Sequence, residues 1–325
     1  MKIKVIIEEG ILSLGSQKIK ELTDEISRLA EIIIIDPYAP KEKWIESCKD
    51  VVAIVNRKAK LSKEILNSCE KLKLIARTGV GVDETRIDLE EFKKRGITVT
   101  YNPGVNSPSV AELTFLLILL LYRKIFKINE LTREGRWSDA QKIIGYELAG
   151  KVLGIIGLGN IGRRVAKIGK AFEMEVLGYD PLIPKDNIVE LGAKPCDFYE
   201  LLSSSDIITI HVPLTPQTYK MISNREIELM KKNAIIINTS RGGIVDEEAL
   251  YEALRNKRIL GAGLDVLSVE PPYPNHPLFK LENVVITPHI GGVTYEATER
   301  GFIGALTEVL NFLQGKPLKN VYKFT

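Results

Sequence analysis

The chain has 325 residues, 45 basic and 42 acidic, with a formal net charge of +3. That balance points away from nucleic-acid and membrane partners, and the length suggests two domains with substantial cores. Cys48, Cys69 and Cys196 lie far apart, without a CxxC or a metal-ligand spacing. They read as reduced cytosolic thiols, and no metal is expected. Met1–Ile7 runs into Glu8 and Glu9 and reads as a first strand, not a secretory signal, so a cytoplasmic protein is expected. Apolar or β-branched runs follow at Ile32–Ile35, Val51–Val55, Leu74–Ala76 and Thr98–Tyr101, separated by amphipathic stretches such as Lys18–Arg28 and Lys63–Glu70. This alternation predicts a parallel sheet with helices on both faces. Asn102-Pro-Gly104 marks a turn. The apolar run Leu113–Leu121 then predicts a helix, capped by Ser107 or Ser109 and buried between domains or subunits. It is about half of a bilayer span.

A second βα series opens at Lys151, with strands expected at Val152–Ile156, Val176–Tyr179, Ile207–His211, Ala234–Asn238, Gly261–Asp265 and Val284–Thr287. A last helix, Thr294 to Leu313, would carry the chain back to the first domain. Between the first two of these strands stands Gly157-Leu158-Gly159-Asn160-Ile161-Gly162, and the second is followed by Asp180. Strand, glycine turn, helix, strand and acid together form a dinucleotide-binding fingerprint. Gly157 permits the turn, Gly159 removes a side chain where backbone meets pyrophosphate, and Gly162 lets helix and strand pack closely. The helix N-terminus offers N–H groups and a positive dipole end to the phosphates. Asp180 can accept hydrogen bonds from both ribose hydroxyls and repels a 2′-phosphate, which favours NAD over NADP.

Ligands of such sheets bind at the carboxyl ends of strands. The chain has three histidines. His276 lies in a proline-rich loop and reads as a loop contact. His211 ends a strand and either lines the cofactor cleft or is structural. His289 follows the last strand beside Gly291 and Gly292 and reads as a catalytic base. Glu270, in Val269-Glu-Pro-Pro272, is a partner that would fix its tautomer; a solvated loop acid is the alternative. Arg241, in Asn238-Thr-Ser-Arg-Gly-Gly243, is a cation for a substrate carboxylate; a surface salt bridge is the alternative. The stretch Gly145 to Lys151 lacks the Ser/Thr of a phosphate loop and precedes a strand, and no Tyr is followed four residues later by Lys.

Over nearly its full length the chain resembles the D-isomer-specific 2-hydroxyacid dehydrogenases. The blocks that carry the resemblance are Ala76-Arg-Thr-Gly-Val-Gly-Val-Asp83, Asn106–Leu113, Gly154–Gly162, His211-Val-Pro-Leu-Thr215, Asn238–Gly242, Gly263-Leu-Asp-Val266, Val269-Glu-Pro271 and Thr287-Pro-His-Ile-Gly291. The resemblance implies an α/β protein of two Rossmann-like parallel-sheet domains, with an NAD domain (103–295) inserted into a flavodoxin-like substrate domain (1–102 plus 296–325). It implies His289 as acid/base, Glu270 as its partner and Arg241 as substrate clamp. NAD would also be met by Asn160 and Ile161 at the pyrophosphate, by Pro213 at the adenosine and by His211 in the cofactor cleft. Thr239, Ser240, Asp265, Gly291 and Gly292 would lie near the nicotinamide. Gly79 and Val80 would offer backbone donors to the substrate carboxylate, and the long apolar helix would form a homodimer.

Within the family the blocks resemble most the 3-phosphoglycerate dehydrogenase branch, which implies the oxidation that opens serine biosynthesis. Arg57, Lys60 and Arg77 are candidates for a phosphate site, although lysines in that loop can equally be solvated charges. The chain stops soon after the returning helix, so no serine-sensing domain, and no inhibition through one, is expected. Glu173 stands where the family usually has Gly, and Pro108 and Val293 replace commoner small or polar residues. Two other readings stay open: a glyoxylate or hydroxypyruvate reductase, and an NAD-sensing scaffold like the dehydrogenase-shaped corepressors.

Overall fold

The computed structural model describes residues 2–10, 14–81 and 89–323. Val82 and Asp83, which end the first family-like block, lie outside the described residues. The chain divides into two compact units, Met1–Asn106 with Val293–Thr325, and Ser107–Gly292.

In the first unit, strands β1 (Lys4–Glu8), β2 (Glu31–Ile35), β3 (Val51–Asn56), β4 (Leu74–Arg77) and β5 (Thr98–Thr100) alternate with helices α1 (Gln17–Leu29), α2 (Lys41–Ser47), α3 (Lys63–Ser68) and α4 (Leu89–Arg95). The strands pair in the order β2-β1-β3-β4-β5, every pair parallel. Both faces of such a sheet are covered, so its central strands are continuous apolar runs without alternation. Val5, Ile6, Ile7, Ala53, Ile54 and Val55 have no exposed surface. Ser16 starts α1 by accepting from Ile19 N, and the helix buries Ile19, Leu22 and Ile26.

Cys48 and Cys69 end α2 and α3, are fully buried and form a disulfide with Cα atoms 4.6 Å apart. This corrects the expectation of three reduced thiols. Helices α2 and α3 pack against each other, and a separation of 21 residues closes to bonding distance. Cys196 is free, and burial pushes its thiol up to about 11.

The second unit opens with α5 (Ser107–Tyr122), α6 (Ile125–Arg133) and α7 (Trp137–Gln141). Then come β6 (Val152–Ile156), α8 (Gly162–Ala171), β7 (Glu175–Tyr179), α9 (Lys185–Glu190), β8 (Lys194–Pro195), α10 (Phe198–Ser204) and β9 (Ile207–Ile210). The series closes with α11 (Asn224–Leu229), β10 (Ile235–Asn238), α12 (Glu247–Arg255), β11 (Gly261–Leu264) and β12 (Val284–Ile286). The sheet order is β12-β11-β10-β9-β6-β7-β8, all parallel. That is the doubly wound dinucleotide topology, with its switch point between β6 and β9. The two-residue strand β8 is too short to leave a pattern in the sequence. Glu173, in the turn from α8 to β7, takes φ +59°, the left-handed conformation a glycine would hold freely.

Helix α5 buries Val110, Ala111, Thr114, Phe115, Leu117, Ile118 and Tyr122, while Leu116 stays 49% exposed. Ser107 opens this helix and Ser109 lies inside its first turn. The chain ends in α13 (Tyr295–Leu313), capped by Thr294, which accepts from Ala297 N at 3.2 Å. In the first unit α13 packs on α1 through Phe302, Ala305, Leu306 and Val309.

Candidate active site

The glycine turn leaves β6 with three glycines in three different situations. Gly157 sits at φ +91°, and a Cβ there would come within 2.7 Å of Val212 Cγ1. A Cβ at Gly162 would lie 1.9 Å from the Gly157 carbonyl oxygen. A Cβ at Gly159 meets nothing within 4 Å. Packing therefore demands the outer two, while the middle one opens space. Helix α8 begins at that space with no side-chain cap at Ile161, so its N-terminal N–H groups suit an anion. Asp180 follows β7 and accepts from Leu158 N at 2.9 Å and Leu182 N at 3.0 Å. Each carboxylate oxygen retains a further lone pair for a ribose hydroxyl. Open cradle, uncapped helix and oriented acid fit a dinucleotide.

The three residues predicted to be catalytic follow the carboxyl ends of β10, β11 and β12, and the structure brings two of them, Glu270 and His289, into contact. His289 Nδ1 lies 2.7 Å from Glu270 Oε2, and Glu270 Oε1 accepts from Leu267 N at 3.2 Å. The two side chains are 40% and 35% exposed. Donation of Nδ1–H to Glu270 leaves Nε2 to handle a proton. His289 itself takes φ +54°, a strained conformation for a side-chain-bearing residue.

Asp265, which is 1% exposed, holds that conformation. It accepts from Thr287 Oγ1 at 2.6 Å and from Ile290 N and Gly291 N at 2.8 Å each, and its carbonyl takes His289 N at 2.9 Å. Burial pushes the Asp265 carboxyl up, against the pull of these donors. A Cβ at Gly291 would sit 2.9 Å from Asp265 Oδ2. Gly292 closes the unit directly after this turn.

Arg241 stands on a turn built by Asn238. Asn238 Oδ1 accepts from Ser240 N at 3.1 Å and Ser240 Oγ at 2.8 Å, and its amide donates to the Arg241 carbonyl at 2.9 Å. The guanidinium donates to the Ser240 carbonyl at 2.7 Å. A Cβ at Gly242 would lie 2.0 Å from Leu267 O, so this turn runs against the segment bearing Glu270. Thr239 is buried and shares a 3.1 Å hydrogen bond with Thr114. The ring nitrogens of His211 are buried with no hydrogen-bond partner among the described residues, and burial lowers its pKa to about 3. The Pro213 carbonyl accepts from Thr218 Oγ1 at 2.7 Å.

The phosphate candidates of the first unit are not equivalent. Half-buried Arg57 donates to Thr298 Oγ1 at 3.1 Å and lies over the Phe302 ring. Lys60 is exposed. Arg77, only 5% exposed, donates to Asn56 Oδ1 and to Gly81 O at 3.4 Å. The Gly79 carbonyl accepts from Asn102 N, and a Cβ at Gly79 meets nothing within 4 Å; Val80 follows it, half-buried.

Sequence reasoning missed Glu8. Its fully buried carboxylate accepts from Asn56 Nδ2, from Lys58 N at 2.6 Å and from Ala59 N at 3.1 Å. The signal was present: an acid directly after an apolar strand, as at Asp180 and Asp265.

Among the described residues no cluster of His, Cys, Asp and Glu is placed to hold a metal, and no helix is long and apolar enough to cross a membrane. Fold and site define a doubly wound dinucleotide-binding protein with an imidazole–carboxylate pair at its strand ends. Residues 115–291 match the family model described as D-isomer specific 2-hydroxyacid dehydrogenase, NAD binding domain. The chain belongs to this family. It is 46% identical over 272 residues to a glyoxylate reductase of Thermococcus litoralis, covering 81% of each chain. It is 43% identical over 281 residues to a D-3-phosphoglycerate dehydrogenase of Archaeoglobus fulgidus, covering 86% of this chain and 53% of that one. The chain thus spans about half the length of that relative. A crystal structure of D-lactate dehydrogenase from Aquifex aeolicus, complexed with NAD and lactic acid, superposes with a TM-score of 0.79 at 33% identity, over 96% of both chains.

Proposed function

We propose that this protein is an NAD-dependent dehydrogenase that interconverts a D-2-hydroxy acid and its 2-keto acid. The 2.7 Å contact of His289 Nδ1 with Glu270 carries the proposal. Bound NAD supplies the acceptor for the hydride that leaves C2 of the hydroxy acid. His289 Nε2 takes the hydroxyl proton, and Glu270 stabilises the imidazolium through Nδ1–H. In the reverse direction the same nitrogen returns the proton to the carbonyl oxygen. The Arg241 guanidinium holds the substrate carboxylate and stabilises charge on the reacting oxygen. Asp180, by repelling a 2′-phosphate, selects NAD over NADP. The test is a panel of 2-hydroxy and 2-keto acids read by NADH absorbance. Protein that binds NAD yet turns over none of them refutes the proposal.

For the substrate we propose 3-phosphoglycerate, supported by the cationic loop Arg57 to Lys60 after β3 and by the half-length relative. A second reading, glyoxylate or hydroxypyruvate reduction, is favoured by the burial of Arg77 on Asn56 and by the relative matched over 81% of both chains. Arg57→Ala separates them. It should lower kcat/KM for the phosphorylated acid roughly tenfold or more and leave unphosphorylated acids within about twofold. A homodimer is proposed from the exposed apolar side chains Phe126, Trp137 and Ile144 in and after α6 and α7, which are 60%, 63% and 80% exposed.

A further inference from the structure

Glu247 lies outside the catalytic set but touches the segment that presents it. It is the first residue of α12, directly after the N-cap Asp246. Its Oε1 accepts from Ser268 N at 2.6 Å and Ser268 Oγ at 2.8 Å, and its Oε2 lies 3.2 Å from His276 Nε2. Ser268 stands two residues before Glu270 and His276 six residues after it. One carboxylate therefore grips the loop on both sides of Glu270.

The grip is built for rigidity. His276 is 7% exposed, with the Tyr273 and Phe279 rings at centroid distances of 5.2 and 5.4 Å. Its Nδ1 is buried with no hydrogen-bond partner among the described residues. The Nε2–H tautomer, donating to Glu247, is the one that leaves no buried donor unpaired. The backbone of Leu267 and Ser268 also abuts Gly242, where a Cβ would lie 2.5 Å from Ser268 N. The loop is in contact with both the Arg241 turn and the start of α12.

We infer that Glu247 and His276 are positioning residues for the acid/base pair, holding the loop so that Glu270 meets His289 Nδ1. This rests on His289 being the acid/base of the proposed reaction. Neither residue hydrogen-bonds to His289; both act through the loop. Without the grip Glu270 spends less time on Nδ1, and the His289 ring loses the hydrogen bond that fixes its orientation and tautomer. Two carboxylates face His289, Glu270 and Asp265. Asp265 is fixed separately by Thr287, Ile290 and Gly291, so only the contribution of Glu270 changes.

The test compares kcat and KM separately for the unaltered enzyme, Glu247→Ala, His276→Ala, Glu270→Gln and the double variant Glu247→Ala/Glu270→Gln, with NAD affinity measured alongside. Glu247→Ala and His276→Ala should bind NAD within about twofold and lose roughly tenfold in kcat/KM. The loss should fall on kcat with KM held within about twofold, as in Glu270→Gln, and the double variant should be no worse than Glu270→Gln alone. Glu247→Gln keeps an acceptor for Ser268 but turns a second donor toward His276 Nε2–H, so it should recover only part of the loss. Ser268→Ala serves if Glu247→Ala does not fold. A loss carried by KM instead of kcat, or additive losses in the double variant, overturns the inference. Turnover surviving in His289→Ala would instead overturn the acid/base assignment beneath it.

Discussion

The two sheets finish in polar edges that use their carboxylates differently. In the second unit, Asp265 spends its oxygens on Thr287 and on two backbone N–H groups, and the neighbouring His289 side chain stays 40% exposed. In the first unit, Glu8 anchors the loop after β3 and holds Asn56, and Asn56 holds Arg77, which is drawn into the edge and is 5% exposed. One edge separates the residue that builds from the residue that reacts. The other binds its strongest cation into the building. A charged residue at a strand's carboxyl end is available for chemistry only where a different group does the structural work.

The largest effect should come from the reacting side of the first edge. His289→Ala should lower kcat by about 10³-fold or more while leaving NAD affinity within about twofold, read by NADH absorbance and by nucleotide titration. Unchanged turnover would remove the contrast. On the building side of the other edge, Glu8→Ala strands the donors of Asn56, Lys58 and Ala59. It should cost roughly 3 kcal/mol or more of unfolding free energy in urea titration. A loss under about 1 kcal/mol would mean that Glu8 is not an anchor.

The glycine turn sharpens the same division within a few residues. Gly162→Ala should destabilise by roughly 2–3 kcal/mol, because its Cβ has no room beside the Gly157 carbonyl. Gly159→Ala should change stability by less than about 0.5 kcal/mol yet weaken NAD roughly tenfold or more. Equal effects of the two on stability would contradict the open space at Gly159.

The smallest effect is a pH dependence at His211. Its folded pKa is about 3, below the ordinary 6.5, so the unfolded chain takes up a proton that the folded chain refuses. Its stabilising contribution is complete above pH 6.5 and is lost progressively as pH falls toward 3. Between pH 7 and pH 5 this amounts to about 2 kcal/mol, and His211→Gln should flatten that part of the profile in urea unfolding.

Much of this was legible in the chain. Continuous apolar runs such as Val5–Ile7 and Ile235–Ile237 announce strands buried on both faces, because a parallel sheet covered by helices has no solvent side to demand alternation. The fingerprint at Gly157–Gly162 and the placement of Arg241, Glu270 and His289 at strand ends follow from local sequence, since turn and strand-end chemistry is encoded within a few residues. Strand β8 was not legible, because two residues carry no period.

Other features belong to the tertiary structure. Glu270 and His289 are 19 residues apart and meet only because β11 and β12 are neighbours in the sheet. Cys48 and Cys69 pair because α2 and α3 pack together, which no spacing rule reveals. Whether an arginine near a strand end is accessible or internal, as with Arg57 and Arg77, depends on which acceptor reaches it first. Local sequence specifies the groups; which of them keep hydrogen-bonding capacity for a ligand is decided by long-range contacts.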